Sequence, residues 1–470
     1  MLNLSTIQGL YPGPNRRSAN PLNELGRQWD DICKQAVAPG EIMVALEAAG
    51  YNDDTARERY GCIDLLDCAE QLYMRVPYRP SLLDQEQRLP APQVWLPLLR
   101  GLTYLLPAAW LPLTALLWPA ESASVGWATA TLFCWGWGQL IAYLGYRALG
   151  RQHQGQAAVF IRLLGTGGLV LTALLALLMG VLLHRPLGPT VAVALLTGTY
   201  LFSAYALFMY GRVFTLFAVT LPAVLLGLGL NLLPAQLVGL RDLGAAGVLA
   251  FAVGVPLVMT LYLTRQAERP LWPGRNEWLL ASGFAMYGWS CASFLAWATI
   301  TGATIAPLEG LTGSLILVPL ILSMGMMEWL VERLLRQLRF LSQSTLSLEQ
   351  LILSGQKALV SSLGWYVLAL VLLHLILAAV ATSTVSTVHV LGQVLFGMAA
   401  MVSAILLAVE RLKMVVISWL VSLGLLVVIN VLPSGTFLSA SGIFLLDVQV
   451  LLFSLLLSVT VALFDINSYR

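Results

Sequence analysis

Four ionisable residues stand inside long apolar stretches: Arg100, Glu328, His374 and Asp447. A charge held at the centre of a bilayer costs on the order of 2.5–3.5 kcal/mol, so each needs a partner, a route to the headgroups or a use. The chemistry open to them is charge pairing, contact with an anion, and binding of a cation or a proton. Arg100 has a side chain long enough to reach headgroups. Glu328 stands one turn before Glu332 and can pair with a basic residue at the same helix end. His374 suits a hydrogen-bonded interior position. Asp447 has no basic residue within a turn and a short side chain, so it needs a proton, a bound cation or a basic partner. Arg100 and Glu328 sit at similar depths, each about 10 Å or less from its helix end at 1.5 Å per residue. A salt bridge between them is one expectation; independent reach to the headgroups is the other.

Enzyme motifs are absent from the sequence. There is no Gly-x-x-x-x-Gly-Lys-Ser/Thr loop, and Gly227-Leu228-Gly229 lacks the third glycine of a dinucleotide fingerprint. There is no His-Glu-x-x-His and no Gly-x-Ser-x-Gly elbow, and His153, His184, His374 and His389 are too dispersed for a metal site. We expect no enzyme, no metal and no resident cofactor.

The elements that must carry these residues follow from composition. Of 470 residues 58% are apolar and 11% charged, too greasy for a water-soluble core. The net charge of +2 leaves no footprint for nucleic acid. Residues 1–92 hold 9 of the 26 Lys/Arg and 13 of the 24 Asp/Glu, which marks a small soluble region ahead of a membrane domain. Its start lacks the apolar core of a signal peptide. Within it, Pro39–Tyr73 reads as two short helices, broken at Gly50 and restarted by Asn52, the second burying Ile63, Leu65, Leu66, Cys68, Ala69 and Leu72. Residues 76–92, with four prolines, read as a linker along the membrane. Cys33, Cys62 and Cys68 suit a reducing compartment.

Beyond residue 92 twelve apolar runs are long enough to span ~30 Å of hydrocarbon as helices. They lie near 93–118, 124–148, 157–183, 189–211, 213–232, 243–265, 277–298, 313–332, 358–384, 389–410, 412–432 and 441–465, the fourth and fifth nearly fused at Gly211-Arg212. With the N-terminus inside, the loops after even-numbered runs and the C-terminus collect fourteen Lys/Arg, against Arg185 and Arg241 on the other side. That bias places both termini in the cytoplasm. Gly155-Gln156-Ala157 and Gly355-Gln356-Lys357 open the third and ninth runs alike, the same place in two six-helix halves. An even number per half makes such repeats parallel. The expectation is an all-α membrane bundle of about twelve helices: a cytosolic region 1–92, then halves at 93–270 and 271–470.

Leu315–Trp329, with Pro319 ahead of Glu328 near a helix end, is followed by the charged segments Glu332–Phe340 and Ser347–Leu351. This stretch resembles the membrane subunits of Pel-type exopolysaccharide exporters, within the MOP (multidrug/oligosaccharidyl-lipid/polysaccharide) flippase superfamily. The resemblance reaches 93–465 in layout and about 310–375 in residue detail; residues 1–92 lie outside the superfamily pattern. It implies alternating access between two six-helix bundles in the cytoplasmic membrane, with a polysaccharide or lipid-linked saccharide as cargo. It further implies Arg100, Glu328 and Arg162 as cargo or gate residues, and Asp447 and Glu328 as cation-coupling residues for Na⁺ or H⁺. A wide polar cavity between the halves would go with this. The other readings are a cation-coupled carrier of small molecules, and a non-transporting scaffold that recruits a cell-envelope machine through a cytoplasmic partner of residues 1–92.

Overall fold

The structure is a computed structural model that describes residues 21–36, 38–75, 94–231, 238–267, 272–300, 318–344, 348–381, 387–431 and 440–464. The expectations for the chain's start and for a linker at 76–92 fall outside those residues. The described helices form two compact units, one ahead of residue 91 and one after it.

The first unit is helical: α1 (Pro21–Gln28), α2 (Asp30–Gln35), α3 (Pro39–Ala48), α4 (Asp53–Thr55, running on as a π-helical turn through Ala56–Tyr60) and α5 (Leu65–Arg75). Gly50 at φ +90° ends the turn after α3, a conformation that favours a residue without Cβ. Asn52 then caps α4, its Oδ1 accepting from the Thr55 amide at 2.9 Å. α3 packs on α5, burying Ile42 and Leu46 against Leu65, Cys68, Ala69 and Leu72. The expected face of α5 needs correction at two positions. Ile63 precedes the helix and is 76% exposed, and Leu66 points outward. The Ile63 amide instead donates to Asp67 Oδ2 at 2.8 Å, which starts the helix. α1 and α2 were not foreseen; their short, charged segments carry a weak apolar pattern.

Among the described residues the second unit contains twelve helices of 19 to 34 residues: α6 (Trp95–Leu117), α7 (Ala120–Gly150), α8 (Gln154–Leu182), α9 (Leu187–Met209), α10 (Val213–Asn231), α11 (Val238–Leu263), α12 (Arg275–Ile300), α13 (Val318–Ser344), α14 (Leu348–Ala381), α15 (Thr387–Ala408), α16 (Leu412–Val431) and α17 (Ala440–Phe464). Among the described residues eight of them are long and apolar enough to cross a membrane, so this is a multi-pass membrane protein. The expected twelve runs correspond to twelve helices in length and to eight in strict composition. α13 departs furthest, because it continues past its apolar part through Glu332, Arg333, Arg336 and Arg339. The α9–α10 boundary is a tight turn: Gly211 takes φ +70°, and the Arg212 amide donates back to the Leu207 carbonyl at 2.8 Å.

Neighbour relations recur along the chain. In the first set α6 packs on α10 and α11, α8 on α9, α9 on α10 and α11, and α10 on α11. Six positions further on, α12 packs on α16 and α17, α14 on α15, α15 on α16 and α17, and α16 on α17. The repeated opening at Gly155 and Gly355 is less regular than expected, since α8 starts at Gln154 while α14 starts at Leu348, two turns ahead of Gly355.

In the second set each sequential pair of helices from α13 to α17 shares one buried polar contact. Ser323 Oγ meets Tyr366 Oη at 2.9 Å, and His374 Nε2 meets Gln393 Oε1 at 2.7 Å. Trp419 Nε1 donates to Ser403 Oγ at 2.9 Å, and Ser422 Oγ to Asp447 Oδ1 at 2.9 Å. Such bonds contribute about 0.6–1 kcal/mol each in membranes and fix how each helix is turned.

Candidate functional site

Two of the helix pairs that join the first set to the second carry ion pairs. The long one is α7 against α12, a seam of aromatic and small residues. A Cβ on Gly288 would lie 2.7 Å from the Gly136 Cα, so the two backbones touch there. Trp289 Nε1 donates to the Phe133 carbonyl at 3.0 Å, and Tyr143 stacks on Phe284 at 4.9 Å. At the seam's end Glu277 Oε1 takes Arg147 at 2.8 Å and Arg151 at 3.3 Å. From Phe133 to Arg147 the seam runs about 21 Å at 1.5 Å per residue.

The other pair, α6 and α13, meets at a crossing. A Cβ on Gly101 would lie 2.9 Å from the Leu322 carbonyl oxygen and 3.0 Å from the Gly325 nitrogen. Such an approach is open only to residues without a side chain. Arg100 precedes the first glycine and Glu328 follows the second by three residues, so both side chains emerge at the crossing. Arg100 Nη1 sits 3.2 Å from Glu328 Oε2. Tyr104, one turn along α6 from Arg100, donates its hydroxyl to the other oxygen, Oε1, at 3.2 Å. Both carboxylate oxygens of α13 are thus held by α6, while Arg100 Nε is buried without a hydrogen-bond partner among the described residues. Among the described residues the three ion pairs between the sets lie toward the start of α6 and the end of α7.

The remaining sequence candidates lie apart from that crossing. Asp447 is fully buried in the second set; Ser422 holds Oδ1, and Oδ2 has no partner among the described residues. In the same set the rings of Phe294, Phe396, Trp419 and Phe444 pack together at centroid distances of 5.5–5.9 Å. His374 is buried, with Nδ1 2.8 Å from the Leu370 carbonyl and Nε2 on Gln393. Arg162 goes to the last turn of α11, donating from Nε to Thr264 Oγ1 and from Nη2 to the Leu261 carbonyl, both at 2.9 Å. A cation at a helix C-terminus answers its unpaired carbonyls. No hydrogen bond ties Arg162 to Arg100 or Glu328.

Tyr104, Gly101 and Gly325 were not singled out in the sequence, nor were Ser422 and Glu277. A tyrosine four residues after an intramembrane arginine was the one available signal. Two cavities among the described residues lie elsewhere. One of about 390 Å³ is an apolar cleft between α8 and α9, and one of about 260 Å³ opens at the Arg147–Glu277 end of the seam. Neither is the wide polar chamber between the sets that the resemblance implies.

No family model and no curated protein matches the chain. Among solved structures it is similar to MATE transporters. The Vibrio cholerae MATE transporter VcmN in the bent form is 15% identical, over 80% of this chain and 95% of that one, with a TM-score of 0.49. An outward-facing multidrug resistance MATE family transporter of the MOP superfamily is 14% identical, over 78% and 94%, with a TM-score of 0.48. A MATE in the straight conformation is also 14% identical, over 78% and 94%, with a TM-score of 0.46. Each TM-score lies below 0.5, and these similarities carry no argument about activity.

Proposed function

We propose that this chain is a transporter or flippase that works by alternating access, with a polysaccharide or lipid-linked saccharide as cargo and the cytoplasmic membrane as its site. The observation that carries the reading is the α6–α13 crossing. One acidic side chain of the second set is held by two side chains of the first, at a contact too small to belong to the core of either. The long α7–α12 seam is a hinge, and the crossing is a latch that parts when the sets rock. Arg100, with one guanidinium N–H unmatched, meets an anionic group of the cargo when the latch is open. Asp447, buried with one free oxygen, takes up the coupling cation or proton.

A latch has to bias two states by a few kcal/mol to matter, and a partly buried ion pair is of that order. The test is a charge swap in reconstituted vesicles. Arg100→Glu abolishes transport, and adding Glu328→Arg restores a substantial part of it. Failure of the swap in folded protein removes the latch and leaves Arg100 as a cargo contact alone.

The second reading, a scaffold that recruits a cell-envelope machine through residues 1–92, is favoured by the compact first unit, which has a buried core of its own. Vesicles that move no saccharide, from a protein that still captures a soluble partner through residues 1–92, would decide for it.

A further inference from the structure

At the end of the seam, where α7 stops and α8 and α12 begin, Arg147, Arg151, His153, Gln156, Trp272 and Glu277 line the cavity of about 260 Å³. Among the described residues its charges do not balance. Arg147 and Arg151 share one oxygen of Glu277, so two guanidiniums face one carboxylate and a positive charge is left over. Arg151 stays more than half exposed despite that contact. The His153 side chain makes no capping bond to α8 and is free to donate into the opening. Trp272 is 62% exposed at the rim. An exposed tryptophan beside the ends of long apolar helices marks the headgroup level of a bilayer.

We propose that this cavity binds the phosphate headgroup of an anionic membrane lipid. The two guanidiniums and the imidazole hold the phosphodiester oxygens, as basic pockets between spanning helices do. Planar, forked donors suit that group better than a point charge. Trp272 lies along the glycerol and the first carbons of the chain. The lining comes from α7 and α8 of the first set and α12 of the second, so one lipid bridges both sets at the seam. A free phosphate offers the same oxygens. The membrane source is favoured by the helix ends and by the exposed indole. Binding here does not depend on whether the chain transports.

The experiment uses the full chain in phosphatidylcholine nanodiscs with and without phosphatidylglycerol. Bound lipid is read by native mass spectrometry and stability by the thermal midpoint. The expected result is selective retention of phosphatidylglycerol with a rise in the midpoint. Arg151→Gln weakens retention about fivefold, roughly the effect of one basic residue near an anionic surface, and His153→Gln weakens it further. Lys413→Gln, a charge loss at the exposed start of α16, leaves retention unchanged. Both binding variants change exposed side chains, and their elution and helical content report that they fold. Equal retention of the two lipids, or retention unaltered in the Arg151→Gln, His153→Gln double variant, overturns the proposal. Inorganic phosphate that reproduces the midpoint shift without anionic lipid also overturns it, by making this a small-anion site.

Discussion

Gly101 and Gly325 lie back to back, each so close to the other's helix that a methyl on either would run into main-chain atoms. The ion pair beside them depends on that approach. Gly325→Val therefore forces α6 and α13 apart and pulls Glu328 out of reach of Arg100 and Tyr104. Spin labels on the two helices should show the separation by pulsed electron resonance, with transport lost alongside. Gly229→Ala, where the added carbon meets nothing within 4 Å, should change neither reading. An unshifted distance in the valine variant would show that the crossing yields elsewhere.

Asp447 is held by a single donor in a wholly buried position. Asp447→Asn keeps the shape and the bond from Ser422, so it should fold and insert normally yet lose coupled transport. Asp447→Glu should keep part of it. Ser422→Ala removes the donor and should lower stability by about 0.6–1 kcal/mol. Full transport by the Asn variant would reduce Asp447 to a polar packing residue.

Topology can be read with thiols, because all five native cysteines are buried and give little background. Gly150, the last residue of α7, and Gly188, in the first turn of α9, both lie in open space beyond opposite ends of α8, so a cysteine fits at either. In sealed cells Gly188→Cys should react with an impermeant maleimide and Gly150→Cys only after permeabilisation. The reverse order would invert the assignment made from the arginine bias.

The first unit carries its own pH signature. Burial, with Cys62 alongside, pushes the Cys68 thiol up to about 12, and burial also raises Cys33 and Cys62. The folded-state value lies above the unfolded one of about 8.5. The neutral thiol therefore contributes stability in full below about pH 8.5, and that contribution is lost as pH rises towards 12. Peptide-level mass spectrometry after iodoacetamide treatment should show Cys68 protected at pH 8 in the intact protein and modified readily after denaturation. Equal labelling rates in both would contradict a buried, protonated thiol.

Much of the helical framework is legible in the apolar runs, because a membrane forces every span to be long and continuous. The ends of α13 and α14 were not, since charged amphipathic turns extend a helix without adding to its apolar length. Arg100 with Glu328 could be anticipated because 1.5 Å per residue converts sequence position into depth. What brings them together could not. Gly101 and Gly325 are two among 40 glycines, and a crossing is a relation between residues more than two hundred positions apart. Asp447 announced itself by the cost of burying a carboxylate. Ser422 did not, because serines in membrane helices commonly turn back on their own backbone, as Ser403 does towards the Ala399 carbonyl.

The crossing at Gly325 divides the described part of α13 unequally. About 10 Å of it lies before the glycine and about 28 Å after it at 1.5 Å per residue. A rod pivoted there is a lever: a tilt that shifts Val318 by a given amount swings Ser344 nearly three times as far, in the opposite direction. The long arm carries Glu332, Arg333, Arg336 and Arg339, so a small rocking at the glycine pair sweeps that charged stretch through a much wider arc.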